Sequence, residues 1–225
     1  MTQHPCGTDR LEYATDFLYP FIDGQESDAD ALVADLIASA EAKATESAAL
    51  RRATLQTCAP LVSAAGAEMA RRFAGGGRLF TFGNGGSCTD AATLAGLFAS
   101  PPSGQPLPAW SLTADQAVLT ALANDVGFEL VFARQLIARA GPADIAIAVS
   151  TSGNSADLLT AMREARRRGL YTIGFAGYDG GAFADNPDVD VCFTVESQSV
   201  HRIQEAQALL GYQLWATTQG QAGQR

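Results

Sequence analysis

Hydrophobic positions along this chain fall into two registers. Between residues 28 and 74 they recur at helical spacing, with Leu32, Val33, Leu36, Ile37 and Ala40 in one group and Leu61, Val62, Ala65, Met69 and Phe73 in another. The spacing predicts two long helices, the second opened by Pro60, because proline fits a first helical turn, and closed by Gly75-Gly76-Gly77. Residues 1–27 show no clear period, although 11–21 could pack as a short helix.

Beyond Gly77 short apolar runs alternate with helical periods. Strands are expected over 78–82, 109–112, 144–149, 171–176 and 189–195, and helices over 88–98, 114–122, 128–139, 156–168 and 201–218. That alternation predicts an α/β fold built on a doubly wound parallel sheet. Two long apolar-faced helices exceed what a few short strands can cover. They point to a homo-oligomer, the alternative being a monomer with both helices packed on the sheet.

The polar turns carry the chemistry. The run 145–149 ends in Ser150-Thr151-Ser152-Gly153-Asn154-Ser155 and then enters a helix. Such a turn aims backbone N–H groups, hydroxyls and a positive dipole end at one point, which suits a phosphate. Four hydroxyls in six residues, with no lysine or arginine among them, imply an anion held by neutral donors. A second unit of the same construction is Gly83-Asn84-Gly85-Gly86-Ser87, and both turns are expected at the carboxyl ends of parallel strands, facing one cleft.

Composition narrows the partners. With 47% hydrophobic and 17% charged residues the chain reads as globular, and 225 residues suffice for a full core. A net charge of −9, with no basic cluster beyond Arg166-Arg167-Arg168, argues against a nucleic-acid surface. That triplet suits a helix C-terminus. No basic-then-apolar leader follows Met1 and no run is long enough to cross a bilayer, so the expectation is a cytoplasmic protein without membrane contact. Cys6, Cys58, Cys88 and Cys192 lack Cys-x-x-Cys spacing and read as free, mostly buried thiols rather than zinc ligands or disulfides.

Gly83-Asn84-Gly85-Gly86-Ser87, Ala123-Asn124-Asp125-Val126-Gly127-Phe128, the Ser150–Ser155 turn, Gly177-Tyr178-Asp179-Gly180-Gly181 and Arg202-Ile203-Gln204-Glu205 together resemble the sugar isomerase (SIS) domain family. Within it they are similar to the phosphoheptose isomerase branch, and residues 113–125 are similar to the DnaA initiator-associating protein. The resemblance covers roughly residues 75–219 and implies a three-layer α/β/α sandwich, usually tetrameric, whose cleft binds a phosphorylated sugar between subunits. It divides the chain into an N-terminal helical segment (1–74), oligomerising and packed on the sheet domain, the phosphosugar-binding domain (75–219) and a tail (220–225). By the family pattern Ser150, Thr151, Ser152 and Ser155 would hold the phosphate, while Asn84, Gly85, Ser87, Asp125 and Gln204 would line the sugar site.

The resemblance fails at the chemistry. Aldose–ketose isomerisation needs an acid and a base within hydrogen-bond reach. Similar heptose isomerases draw them from a glutamate on the helix after the Gly-rich loop and a histidine on the last helix; with a further histidine and a glutamine, these can also bind zinc. An ungapped alignment puts Thr93 and Leu97 where the family has His and Glu, and Gln204 and Tyr212 where it has Gln and His. Leucine transfers no proton, and a phenol, with a pKa of about 10 in water, is a poor base. No metal or other cofactor is expected. His201 and Glu205 are the substitutes on the last helix, the first otherwise a solvent-exposed residue at the helix start, the second otherwise a partner of Arg202 or a helix cap.

Two functions follow. One is a phosphosugar-binding protein without isomerase chemistry, a sensor or assembly factor whose protein partner the sequence does not name. The other is a phosphosugar isomerase acting on sedoheptulose 7-phosphate or a shorter ketose phosphate through a rearranged acid/base pair.

Overall fold

The structure, a computed structural model, describes residues 28–222. The expected helix at 11–21 lies outside them. The chain forms two compact units, Met1–Ala44 and Thr45–Arg225. In the first, the described residues form the start of helix α1 (Ala29–Ala74), where Leu32, Val33, Leu36 and Ile37 are 43–59% exposed.

Helix α1 is a single helix in place of the two expected. Pro60 lies inside it, on the exposed face with Gln56, whose carbonyl loses its helical donor to proline but remains open to water. An interior proline costs roughly 3 kcal/mol. Cys58, Val62, Ala65 and Met69, all buried on both sides of the proline, hold the helix together.

The second unit is a three-layer α/β/α sandwich. Strands β1 (Leu79–Gly83), β2 (Ala109–Ser111), β3 (Ile145–Val149), β4 (Tyr171–Gly177) and β5 (Val191–Val195) form one parallel sheet in the order β2-β1-β3-β4-β5. Period-two alternation sends Leu79, Ile145, Ile147, Val149, Ile173 and Phe175 to one face and Phe80, Phe82, Ala146, Ala148 and Ala176 to the other. The first face is covered by α1 from Thr45 onward, α2 (Gly86–Ala99) and α7 (Val200–Ala222), the second by α4 (Val131–Arg139), α5 (Ala156–Arg167) and the short α6 (Gly181–Ala184). Helix α7 continues past residue 218, into the segment expected as a tail.

Between β2 and α4 lies α3 (Gln116–Asp125), none of whose residues is buried. It starts two residues later than expected because Asp115 caps it, accepting from the Val118 N–H at 3.1 Å, and the following Phe128–Leu130 turn is 3-10 rather than α. Adjacent strands β1 and β3 pair from Leu79↔Ile145 to Gly83↔Val149, yet β1 leads to α2 on one face and β3 to α5 on the other. This is the point where the winding reverses, and open α/β sheets bind ligands in the crevice there.

Candidate functional site

Both polar turns leave the sheet at this reversal point. In the first, Gly85 takes φ 55° and ψ −126°, a conformation open only to glycine, and starts α2. Ser87 is buried in the first turn of α2. Asn84 is half-buried and donates through Nδ2 to both carboxylate oxygens of Asp157, at 2.9 and 3.0 Å. Asp157 is buried in the first turn of α5, so this bond closes one turn onto the other across the crevice. The bond commits the Asn84 amide nitrogen and leaves Oδ1 as an acceptor for a ligand hydroxyl.

The second turn is shaped by its own hydroxyls. Buried Ser150 accepts at Oγ from the Gly153 N–H at 3.0 Å, and Ser152 Oγ accepts from the Asn154 N–H at 3.2 Å. Gly153 has φ +67°, and a Cβ there would overlap the Gly180 carbonyl oxygen. The Gly177–Gly181 turn is thus a buttress: the Gly177 N–H donates to the Thr151 carbonyl, and Asn154 Oδ1 accepts from the Ala182 N–H. Thr151, Ser152 and Ser155 are half-buried, and Ser155 precedes α5 without a side-chain capping bond. The first N–H groups of α5 lack intrahelical partners, as at any helix start, and suit an anion.

Gln204 donates through Nε2 to Asp90 Oδ2 at 3.3 Å and packs so closely on the Gly86 backbone that a Cβ there would overlap its amide. Asp125 ends α3, exposed, and accepts from Asn124 Nδ2; no hydrogen bond among the described residues ties it to either turn. His201 is exposed in the first turn of α7. Glu205 accepts at Oε2 from Ser47 Oγ on α1, while Arg202 pairs with Glu46, so the Arg202 partner expected for Glu205 is replaced by a serine 158 residues away.

A cavity of about 70 Å³ opens between α2 and α7, with Val149 and Phe175 of the sheet as its floor. Thr93, Leu97 and Tyr212 all line it. Asp90 and Gln207 line it too, and sequence reasoning missed both. Asp90 was legible, since it stands three and seven residues before Thr93 and Leu97 on one face of α2. Burial pushes its carboxyl above the usual carboxylate range, against the opposing hydrogen bond from Gln204. Gln207 carried no sequence signal: it is 2% exposed, donates through Nε2 to the Ser150 carbonyl at 2.7 Å, and has no partner at Oε1 among the described residues.

The donors here do not fit a zinc ion. Thr93, Leu97, Gln204 and Tyr212 supply neither imidazole nor carboxylate, and no three His, Cys, Asp or Glu side chains cluster for a metal among the described residues. Burial raises the thiols of Cys58 and Cys192, which keeps them protonated rather than nucleophilic. Among the described residues no helix is long and apolar enough to cross a membrane.

Comparison with known proteins gives consistent matches. The SIS domain model matches residues 44–177. The phosphoheptose isomerase of Roseiflexus sp. (strain RS-1) is 44% identical over 158 residues, covering 69% of this chain and 79% of that protein. That of Solidesulfovibrio magneticus is 43% identical over 171 residues, covering 75% and 82%. Among solved structures, the phosphoheptose isomerase from Neisseria gonorrhoeae superposes with a TM-score of 0.76 at 31% identity, covering 82% of this chain and 99% of that one. The enzyme from Francisella tularensis gives 0.77 at 28%, covering 82% and 98%.

Proposed function

Because the chain belongs to the SIS domain family, we propose that it binds a phosphorylated sugar, sedoheptulose 7-phosphate or a close analogue, without the isomerase chemistry named for its relatives. One observation carries this reading: the cavity between α2 and α7, where the resemblance puts the family's acid and base, is lined by Thr93, Leu97 and Tyr212 in their stead. The phosphate sits at Ser152, Ser155, Thr151 and the α5 N-terminus, with Ser150 shaping the loop from within. Asn84, Ser87 and Gln204 border the sugar, with Gly85 allowing close backbone approach and Asp125 approaching from α3.

A sensor or assembly factor is the role that fits binding without turnover. Homotetramer formation is part of the proposal, supported by the exposed Leu32, Val33, Leu36 and Ile37 stripe on α1. So is a cytoplasmic location, for which the free thiols of Cys58, Cys88 and Cys192 speak.

The second reading, a phosphosugar isomerase, is favoured by the activity named for relatives at 38–45% identity and by Asp90, a carboxyl of raised proton affinity inside the cavity. His201, exposed in the first turn of α7, and Glu205, bonded to Ser47, are less well placed for proton transfer. NMR in deuterated buffer with excess sedoheptulose 7-phosphate separates the readings. Binding shifts without deuterium incorporation next to the carbonyl are the expected result. Incorporation that disappears in Asp90→Asn or His201→Ala establishes the isomerase and identifies its base.

A further inference from the structure

The cavity between α2 and α7 has a composition that asks for a particular kind of group. Leu94, Leu97, Val149, Phe175, Ala208 and Gly211 make most of its wall. At about 70 Å³ it is well under the roughly 150 Å³ that admits benzene, and its apolar lining offers water few of the two to four partners it needs. A sugar hydroxyl entering it would lose hydration against Leu94, Leu97 and Phe175. A methyl group would lose nothing.

The cavity and the phosphate loop are linked through two residues of the cavity wall. Val149 forms part of the floor and the next residue, Ser150, begins the loop. Gln207 lines the cavity and donates to the Ser150 carbonyl. A ligand anchored at the loop is thereby placed beside the strand end and the helix that wall the cavity. Four polar side chains line it as well: the Asp90 carboxylate and the Gln207 Oε1, which has no partner among the described residues, are acceptors, and the Thr93 and Tyr212 hydroxyls can donate. Together they match an amide, with acceptors for its N–H and donors for its carbonyl.

Resting on the phosphosugar reading above, we infer that the cavity receives a short acylamino substituent of the bound sugar phosphate, its methyl group against Leu94, Leu97 and Phe175 and its N–H toward the Asp90 and Gln207 acceptors. Among phosphorylated sugars the cavity then favours those that carry an acylamino group over those with a hydroxyl in its place. Each buried methylene is worth about a fourfold gain in affinity, so the single methyl of an acetamido group in place of a hydroxyl gains about fourfold.

Calorimetric titration of the full chain with matched pairs tests this: glucose 6-phosphate against N-acetylglucosamine 6-phosphate, and mannose 6-phosphate against N-acetylmannosamine 6-phosphate, with inorganic phosphate followed through the Ser152 and Ser155 amide resonances. The expected result is tighter binding of the acetamido member in at least one pair, by about fourfold, with the ratio falling toward one in Leu97→Glu and in Ala208→Glu. Equal or tighter binding of the hydroxyl member in both pairs overturns the inference and leaves the phosphosugar reading standing, as does a preference that survives both substitutions. Phosphate shifts at Ser152 and Ser155 without binding of any of the four sugars have the same meaning. Absence of every response removes the phosphosugar reading and this inference together.

Discussion

Gln207, in the middle of α7, donates a 2.7 Å hydrogen bond from Nε2 to the carbonyl oxygen of Ser150, the first residue after β3. Both residues are buried, so no water can take over when the amide is removed. The Ser150–Ser155 turn is thereby fixed to the helix that also walls the cavity.

Replacing Gln207 by leucine keeps the volume roughly constant and orphans the Ser150 carbonyl. An unsatisfied buried carbonyl costs about 1–3 kcal/mol, partly offset by removal of the unpartnered Oε1. The expected outcome is a loss of about 1–2 kcal/mol in urea denaturation and phosphosugar binding weakened by about tenfold. Unchanged affinity in a destabilised Gln207→Leu protein would separate α7 from the loop.

Two glycines of the turns should respond very differently to alanine. Gly85 has φ +55° and open space around its missing Cβ, so Gly85→Ala meets only backbone strain, about 1–3 kcal/mol. Gly153 combines φ +67° with the Gly180 carbonyl in the way, so Gly153→Ala must also separate the phosphate loop from its buttress. Thermal melts should rank Gly153→Ala well below Gly85→Ala, with phosphosugar binding abolished in the former and weakened in the latter, where the added Cβ obstructs the close backbone approach.

Acid should act on α1 through Glu68. Hydrogen bonds from Arg71 and Arg72 hold its carboxyl at about 2, below the ordinary 4.5. The unfolded chain therefore takes up this proton first as pH falls, and the stabilisation is complete above about 4.5 and lost as pH drops through about 2. The stake is larger than one ion pair, because Arg72 also donates to the carbonyls of Pro142, Asp144 and Gly169, fastening α1 beneath β3 and β4. Solvent screening limits the Glu68 share to about 1 kcal/mol. Glu68→Gln should be less stable than the parent by that amount at pH 7, and the difference should shrink on acidification below pH 4.5.

These elements also mark how far the sequence could be read. Strands β1 and β3 were legible because both faces are buried, which makes β3 a continuous apolar run and β1 one broken only by Thr81. The two polar turns stood out because glycines and hydroxyls cluster in each between an apolar run and a helical period. Pro60 misled, since packing of Cys58 and Val62 on the sheet outweighs a local helix breaker. Glu205 and Gln207 could not be resolved, because their partners, Ser47 and Ser150, lie 158 and 57 residues away and no periodicity reports that pairing. The Asn84–Asp157 bond was invisible for the same reason: each residue looked like part of its own turn.

That last pair gives the sharpest test of the crevice. Asn84 presents two donor hydrogens from one nitrogen to a carboxylate that is 4% exposed, so the pair tolerates change unequally. Asp157→Asn exchanges a charged acceptor for a neutral one and keeps one good hydrogen bond, a cost of about 1 kcal/mol. Asn84→Asp sets a second carboxylate against a buried one and removes the only donor between them, a cost of about 3 kcal/mol or more at neutral pH. Protonating either carboxyl restores a donor, so Asn84→Asp should regain stability as pH falls toward 5 while Asp157→Asn should not. Chemical denaturation of the two variants across that range reads the difference. Equal losses at every pH would mean that the two turns are held apart by packing and that this hydrogen bond does not close the crevice.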